Sequence, residues 1–314
     1  MRDKNATEVL RGDRHGVAQA ARIINAGGLV AVPTETVYGL AARADDPDAV
    51  AAIYAAKGRP SFNPLIVHVL DPAAAGRLVE MDDKAQALAG RFWPGPLTMV
   101  LPLRDAADVA GAVTAGLPTL AVRVPAHPLM RELLTLAEAP LAAPSANVSE
   151  SVSPTSPGHV LKTLDGRIDA VLDGGECIAG LESTIVALRG DGAWSLLRPG
   201  PIAKEALIEA LGAEPSGTTE GVEAPGQLAR HYSPGKPVRL GAVEAAEDEF
   251  LLGFGNTAGD WSLSDSGDPA EAAARLYAGL HRGAESDKAR IAVAPIPDEG
   301  LGAAINDRLR RAAA

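Results

Sequence analysis

Two basic residues lie between a helix-like run and a strand-like run in the stretch KGRPSFNPLIVHV, residues 57–69. Lys57 ends the helix-like run, Arg59 follows in a Gly-Arg-Pro turn, and His68 is embedded in the apolar strand-like run. Loops often carry function while rigid elements hold them in place, so this junction suits a polyanion. We therefore expect Lys57 and Arg59 to face a nucleotide triphosphate.

Arg123 is a charged residue on the otherwise apolar strand TLAVRVP. The period of two along a strand puts Arg123 on one face with Thr119 and Ala121, opposite the leucine and the valines. A buried guanidinium without a partner is very costly, so Arg123 needs a counter-charge. Two interpretations stay open. Arg123 forms a structural ion pair with a carboxylate such as Glu35 or Glu182, or it clamps a substrate carboxylate with two parallel hydrogen bonds.

Other polar residues at predicted strand ends also allow two interpretations. A lone histidine on an apolar strand, such as His68, is more often a satisfied core residue than a catalyst. Ser145 and Asn147 follow a short strand, where turns and caps explain most such residues, but their groups also suit phosphate or ribose. Ser183 begins another strand, and Arg198, beside a Pro-Gly turn, is a third basic residue that could reach an anion.

Several familiar catalytic motifs are absent from the sequence. It has no P-loop, no GxGxxG turn, no HExxH pair and no GxSxG elbow. It also has no compact cluster of Asp, Glu and His with metal-ligand spacing. We therefore predict no metal site built by the chain, and we expect Mg²⁺ to arrive with a nucleotide. Cys177 is the only cysteine, which excludes an internal disulfide and fits a reducing cytoplasm.

Length and charge narrow the function classes. The 314 residues suit about two domains of roughly 150 residues each. A net charge of -11 disfavours the broad basic surface that holds nucleic acid phosphates, so we expect no tight nucleic-acid binding and a polyanion in a small pocket. The first residues are charged and no run approaches the roughly 18 apolar residues of a membrane span. We therefore expect a cytoplasmic protein without a membrane segment.

Helix and strand signals alternate along the chain and would position these residues. Four aspartates that precede helix-like runs are expected N-caps: Asp13, Asp46, Asp71 and Asp82. Up to residue 211 strands alternate with helices, and some strands follow one another directly, which predicts an α/β fold with a mixed sheet covered on both faces. Residues 212–236 are rich in Gly, Pro, Ser and Thr and indicate a linker. Residues 237–314 predict a second, smaller α/β unit.

Six blocks occur in a fixed order along the chain: VPTETVYGL, AKGRPSFNPLIVHV, WPGPLTMVL, AVRVP, APSANVSESVSPT and ESTIV…LLRPG. Together they resemble the YrdC-like family. The tail, with APGQLARHYSPGK and GDPAEAAARLYAGL, resembles the extra domain of the two-domain form of this family. The resemblance implies a twisted mixed sheet with flanking helices in the catalytic domain, residues 1–211. It also implies a linker that acts as an active-site lid, residues 212–236, and a Rossmann-like α/β domain, residues 237–314.

The resemblance also implies a reaction. L-threonine, bicarbonate or carbon dioxide, and ATP would give L-threonylcarbamoyl-AMP and pyrophosphate, the first step of threonylcarbamoyladenosine modification of tRNA. A separate tRNA threonylcarbamoyl transferase would use this product. The alternative from another class is an RNA-binding or ribosome-associated module without this activity. The acidic charge and the lack of interleaved aromatic and basic residues count against that alternative.

Carried over residue by residue, the resemblance assigns roles to positions of this sequence. Catalytic roles fall on Lys57 and Arg59. ATP contacts fall on Arg59, Asn63, Thr119, Ser145, Asn147, Ser153, Arg198 and Tyr232. Threonine contacts fall on Thr36, His68, Arg123, the main chain at Ala143, and Ser183.

The linker block APGQLARHYSP contains His231 and Tyr232. The resemblance implies that this segment folds over the active site and brings the tyrosine close to the nucleotide. Such a lid would exclude water from a hydrolysable mixed anhydride. The block departs from the family pattern at Ala224 and Ala229, where a serine and an aromatic residue are usual. Arg230, His231 and Tyr232 match the pattern.

Overall fold

The computed structural model describes residues 6–189, 192–217, 223–227 and 231–314. The strands of a first, larger sheet are β1 (Glu8–Arg11), β2 (Val30–Val32), β3 (Gly39–Arg43), β4 (Ile66–His68), β5 (Leu97–Pro102), β6 (Thr119–Arg123), β7 (Leu141–Ala142), β8 (Ala170–Asp173), β9 (Thr184–Leu188) and β10 (Trp194–Arg198). The helices in the same part of the chain are α1 (Arg14–Asn25), α2 (Pro47–Lys57), α3 (Pro72–Leu78), α4 (Asp83–Phe92), α5 (Gly111–Thr114), α6 (Pro128–Ala137), α7 (Pro157–Leu164) and α8 (Lys204–Leu211).

A second, smaller sheet follows the linker. Its elements are β11 (Val238–Leu240), β12 (Glu249–Gly253), β13 (Trp261–Ser262), α9 (Pro269–Glu285), β14 (Arg290–Val293) and α10 (Leu301–Ala312). We keep the predicted division into a catalytic domain, a linker and a C-terminal domain as names for residues 1–211, 212–236 and 237–314. Within the described residues, no helix combines the length and the apolar character that crossing a membrane requires.

The two sheets differ in strand direction. The ten-stranded sheet has the order β1-β8-β2-β3-β7-β4-β6-β5-β9-β10. It mixes parallel pairs such as β4 with β6 and antiparallel pairs such as β5 with β6. The four-stranded sheet has the order β11-β14-β12-β13, and its pairs are parallel. The predicted mixed sheet and Rossmann-like second domain are therefore confirmed.

Helix starts follow the predicted caps. The side chain of Asp13 accepts a hydrogen bond from the Gly16 main-chain N–H, and the other three aspartates cap α2, α3 and α4 in the same way. Four short elements have no clear signal in the sequence: β1, α5, α7 and β13. In β1 only Leu10 is buried, so the strand has no alternating apolar pattern. The cap of α7, Ser156, lies in a serine-rich stretch where it is not distinctive.

The alternation along β6 has the predicted consequence for its two faces. Val122 and its aliphatic neighbours join the largest buried cluster, whereas Ala121 belongs to a separate cluster on the other face. The linker residue Ala224 is fully buried in that second cluster. Because Arg123 shares the face of Ala121, the linker covers the face on which Arg123 lies.

The two domains share a hydrophobic cluster. It combines Val37, Val152 and Leu181 of the catalytic domain with Tyr232 of the linker and the core of the C-terminal domain. Gly180 allows the close approach, since its φ is +68° and a Cβ at this position would lie 2.3 Å from the Ala273 carbonyl oxygen. The domains are therefore packed together through one apolar core.

Candidate active site

A cavity opens where β4 and β6 meet the loops that follow α2, β2 and β7. The open space between its walls, including the solvent at its mouth, is about 520 Å³. Most of the predicted site residues line it: Thr36, Arg59, His68, Arg123, Ala143, Ser145, Ser183, Arg198 and Tyr232. The remaining predicted residues, Lys57, Asn63, Thr119, Asn147 and Ser153, do not line this cavity.

Arg59 and Arg198 place two guanidinium groups at the cavity wall. Arg59 donates from Nε to the Asn63 carbonyl at 3.0 Å and from a terminal nitrogen to the Pro64 carbonyl at 2.8 Å. Arg198 donates from Nε and a terminal nitrogen to the Ser183 carbonyl at 3.1 and 3.0 Å. Burial lowers the pKa of Arg59 to about 10, and it also lowers the pKa of Arg198. Arg59 therefore stays charged at neutral pH, and the two groups offer positive charge to an anion.

Lys57 lies beneath the loop of residues 145–147. Its Nζ donates to the main-chain carbonyls of Ser145 at 2.6 Å and Asn147 at 2.5 Å, and the side chain is buried. Burial lowers the pKa of Lys57, and the nearby charge of Arg59 lowers it further. In this arrangement Lys57 holds the loop that carries Ser145, and Ser145 itself lines the cavity.

Arg123 forms an ion pair within the cavity wall. A terminal nitrogen lies 2.6 Å from Glu35 Oε1, the other donates to Thr36 Oγ1 at 3.0 Å, and Nε donates to the Gly95 carbonyl at 3.2 Å. Burial would raise the pKa of Glu35, but the charge and hydrogen bond of Arg123 hold it below its usual value. A guanidinium has five N–H donors, and these contacts use three of them. Two N–H groups remain for a substrate carboxylate, so the ion pair and the clamp are compatible.

His68 faces Arg123 across the parallel strands β4 and β6, where the two residues are register partners. Its Nδ1 is buried and has no hydrogen-bond partner among the described residues. Burial lowers the pKa of His68 to about 3, so the ring is neutral at physiological pH. A satisfied core histidine would have both ring nitrogens accounted for. Because His68 also lines the cavity, its free Nδ1 suits a ligand.

The predicted residues that do not line the cavity differ in their surroundings. The Ser153 hydroxyl donates to Glu182 Oε1 at 2.5 Å. Asn63 and Asn147 are buried, and the side-chain oxygens of both lack a partner among the described residues. Thr119 begins β6 at the end opposite to Arg123. The structure therefore brings Ser153 to the cavity residue Glu182, Asn63 to Arg59 and Asn147 to Ser145, but it does not bring Thr119 to the cavity.

Four described linker residues line the cavity: Pro225, Gly226, His231 and Tyr232. We call residues 223–227 and 231–232 the lid. Tyr232 is fully buried with a φ of +64°, an unusual conformation for a residue other than glycine, and its hydroxyl has no partner among the described residues. Ala224, one of the two positions that depart from the family pattern, is fully buried against the sheet. Ala229 and Arg230 lie outside the described residues.

Glu182 is a cavity residue whose partners lie far away along the sequence. Its carboxylate accepts hydrogen bonds from Ser153 and from two residues of the C-terminal domain, Tyr277 and Arg308. From the sequence, Glu182 is expected only as a possible partner for Arg123, which pairs with Glu35 instead. Tyr277 and Arg308 lie 95 and 126 positions away on separate helices, and no local pattern marks them.

Taken together, the fold and the cavity define a two-domain α/β protein with a site for anions. The family model described as Telomere recombination (Sua5, YciO and YrdC) matches residues 22–200. The model described as Threonylcarbamoyl-AMP synthase, C-terminal domain, matches residues 202–314. The chain therefore belongs to the two-domain threonylcarbamoyl-AMP synthase family, which confirms the resemblance seen in the six sequence blocks.

Individual relatives match over nearly the whole chain. The threonylcarbamoyl-AMP synthase of Bacillus subtilis is 39% identical, covering 98% of this chain and 96% of the relative. That of Pyrococcus abyssi is 39% identical, covering 93% of this chain and 92% of the relative. The crystal structure of P. abyssi Sua5 complexed with L-threonine superposes with a TM-score of 0.89 at 35% identity and covers 98% of both chains.

Proposed function

We propose that this protein makes L-threonylcarbamoyl-AMP and pyrophosphate from L-threonine, bicarbonate or carbon dioxide, and ATP. The observation that carries the proposal is that one cavity gathers Arg59 and Arg198 with Arg123 and His68. The first pair offers charge to a triphosphate, and the second pair offers a guanidinium and a neutral ring nitrogen to an amino acid. The relatives that match this chain over nearly its whole length are named for this activity.

The chemistry needs positioning more than a reactive side chain. The threonine amine attacks the carbon of carbon dioxide, and a carbamate forms as the nitrogen loses a proton to water. A carbamate oxygen then attacks the α-phosphorus of ATP, and the bond to the β-phosphate oxygen breaks to release pyrophosphate. No covalent bond to the protein is required. Charges that hold two anions in line and stabilise the transition state supply the acceleration.

We assign the two substrates to two adjoining parts of one cavity, with threonine at the carboxyl end of the β4 and β6 pair. Arg123 and His68, register partners at the carboxyl end, would hold the carboxylate and a polar group of threonine. Thr36, Ser183 and the main chain at Ala143 would complete this pocket. Arg59 and Arg198 would contact the phosphates, and Lys57 would fix the loop that presents Ser145.

The remaining assigned nucleotide contacts come from the same resemblance. They are Asn63, Thr119, Asn147, Ser153 and Tyr232. The hydroxyl of Ser153 would have to leave Glu182 to reach a nucleotide.

Mg²⁺ would arrive with the nucleotide. Glu182 is the carboxylate among the described cavity residues, and Arg308 and Tyr277 already occupy it. The described residues also bring no cluster of three His, Cys, Asp or Glu side chains together. Nucleotide phosphate oxygens and water would therefore supply most of the ligands. A separate transferase would take the product to tRNA, and the buried lone cysteine fits a cytoplasmic setting.

A pyrophosphate-release assay with threonine and bicarbonate omitted in turn tests the proposal. Pyrophosphate should appear only when threonine, bicarbonate and ATP are all present. Release that is independent of threonine would overturn the proposal. Tight filter binding of tRNA at physiological salt without ATP turnover would favour the RNA-binding alternative, which the net charge of -11 disfavours.

A further inference from the structure

Glu182 places a negative charge on the wall of a cavity that we assign to a polyanion. The residue is 5% exposed and lines the cavity directly before Ser183. A carboxylate in this place repels phosphate unless its charge is compensated. Neighbouring groups must therefore offset the negative charge of Glu182.

Arg308 of α10 is the ionic partner of Glu182. Its Nε donates to Glu182 Oε2 at 2.8 Å, and the side chain is fully buried. One terminal nitrogen donates to the Pro199 carbonyl at 2.9 Å, and the other to Asp307 at 2.7 Å. The guanidinium carbon also lies 5.4 Å from the centre of the Tyr232 ring. One side chain of the C-terminal domain thus contacts the catalytic domain and the lid.

Tyr277 of α9 also contacts both Glu182 and Tyr232. Its hydroxyl lies 3.0 and 2.9 Å from the two carboxylate oxygens of Glu182. Its ring stacks on Tyr232 with centroids 5.7 Å apart and planes inclined by 25°. Tyr277 and Arg308 therefore share both contacts, the wall carboxylate and the lid tyrosine.

The charge state of Glu182 follows from its neighbours. Burial would raise the pKa of Glu182, but the charges of Arg308 and then Arg198 hold it at about 2. A carboxylate with this pKa is ionised at working pH and is a poor general base. If Arg308 were absent, Arg198 would be the main remaining positive charge that offsets the negative charge of Glu182. Less of its positive charge would then be available to a nucleotide.

We propose that Arg308 and Tyr277 of the C-terminal domain are positioning residues for ATP. They neutralise the charge of Glu182 and fix its orientation, so that the positive charge of Arg198 remains available to the phosphates. They also hold Tyr232 in the wall of the cavity. The inference rests on the proposed function and adds to it a role for the second domain in nucleotide affinity. Neither residue touches the reacting atoms, and both act through Glu182 and Tyr232.

The test compares ATP affinity at two pH values. In Arg308→Met the equilibrium Kd for ATP, measured by calorimetry without turnover, should rise at least 10-fold relative to wild type at pH 8. Loss of Arg308 raises the pKa of Glu182, so the carboxylate takes up a proton as the pH falls and stops repelling phosphate. The ratio of variant to wild-type Kd should therefore shrink as the pH is lowered. The charged or titratable groups facing Glu182 are Arg308, Tyr277, Arg198, His231 and Tyr232.

Three further variants distinguish an effect of the Glu182 charge on ATP binding from an effect of the substitution on folding. Glu182→Gln on the Arg308→Met background should recover most of the ATP affinity at pH 8, because the uncompensated charge is gone. Tyr277→Phe keeps the stacked ring and loses only the hydroxyl, so it should fold and raise the Kd about 2- to 10-fold. Arg310→Met is the matched control, since Arg310 is on the same helix, is exposed and pairs only loosely with Asp298 at 3.7 Å.

The outcomes distinguish this inference from the proposed function. A wild-type protein that releases no pyrophosphate would refute the function, whatever the ATP affinities are. Active wild-type protein with unchanged ATP affinity in both Arg308→Met and Tyr277→Phe would refute the positioning role alone. An affinity loss that neither low pH nor Glu182→Gln reverses would refute charge compensation. Loss of kcat in Glu182→Gln with unchanged ATP affinity would make Glu182 a catalytic base instead.

Discussion

Replacing Arg123 by methionine should raise the KM for threonine by about 100-fold or more. The guanidinium uses three of its five N–H groups on Glu35, Thr36 and Gly95, which leaves two for the threonine carboxylate. Hydrogen bonds to charged groups are worth roughly 1.5–3 kcal/mol each. Losing two therefore costs at least about 3 kcal/mol, and every 1.4 kcal/mol is about tenfold in affinity.

The same substitution also disturbs stability, because Glu35 loses its partner. Breaking a buried ion pair costs roughly 3–5 kcal/mol, and less is expected here since the Glu35 side chain is 15% exposed. In wild type the lowered pKa of Glu35 means that the pair stabilises the fold at neutral pH and loses this contribution as the pH falls below the usual range of a carboxyl group. A weakened variant alone would therefore not separate binding from folding.

The double variant Glu35→Gln with Arg123→Met separates the two effects. Without the carboxylate no unpaired charge remains, so its melting temperature should return toward that of wild type. Its KM for threonine should stay high, because the clamp is still missing. The assay is pyrophosphate release against threonine concentration at saturating ATP, with a thermal melt of each variant. A wild-type KM in the double variant would show that Arg123 is only a structural ion pair.

Three more outcomes follow from the same geometry. Arg59→Ala and Lys57→Met should each lower pyrophosphate release about 100-fold or more at saturating substrates, and wild-type turnover in both would contradict the site assignment. Gly226→Ala should weaken ATP binding, because its φ is +84° and a Cβ would lie 2.9 Å from the Arg198 side chain and 3.2 Å from the Tyr232 hydroxyl. Gly217→Ala, in open space on the same linker, is the control and should bind ATP like wild type. Urea unfolding should show stability falling steeply from pH 6.5 toward 4, by about 1.4 kcal/mol per pH unit for each histidine that is neutral when folded, and a flat profile between pH 7 and 5 would refute this. Burial lowers the pKa of these histidines to about 3 or 4: His68, His159, His231 and His281.

The sequence predicts helix caps and the two faces of a strand, because these depend on residues that are close together in the chain. An aspartate cap such as Asp46 depends on the next three residues, and the alternation along β6 depends on five. The partner of Arg123 depends on tertiary structure, since Glu35 lies 88 positions away. Spacing alone could name Glu35 and Glu182 as candidates but could not choose between them.

The surroundings of the site residues also depend on tertiary structure, which spacing along the sequence does not show. Family motifs predict His68 as a cavity residue, while its position on an apolar strand favours the core, and only the register with Arg123 places the ring beside the cavity. The links from Glu182 to Tyr277 and Arg308 cross the domain boundary. Neither periodicity nor any catalytic motif marks such a contact, because it depends on how two separately folded sheets pack.

The shared apolar cluster under the lid has a kinetic consequence. Tyr232 belongs to the same buried cluster as the core of the C-terminal domain, so opening the cavity at Tyr232 also exposes part of that cluster. Exposing a buried aromatic side chain costs roughly 1.5–3 kcal/mol, which corresponds to an open fraction on the order of 1–10%. Substrates and products would then exchange during rare openings. Release of the finished adenylate would then wait for such an opening.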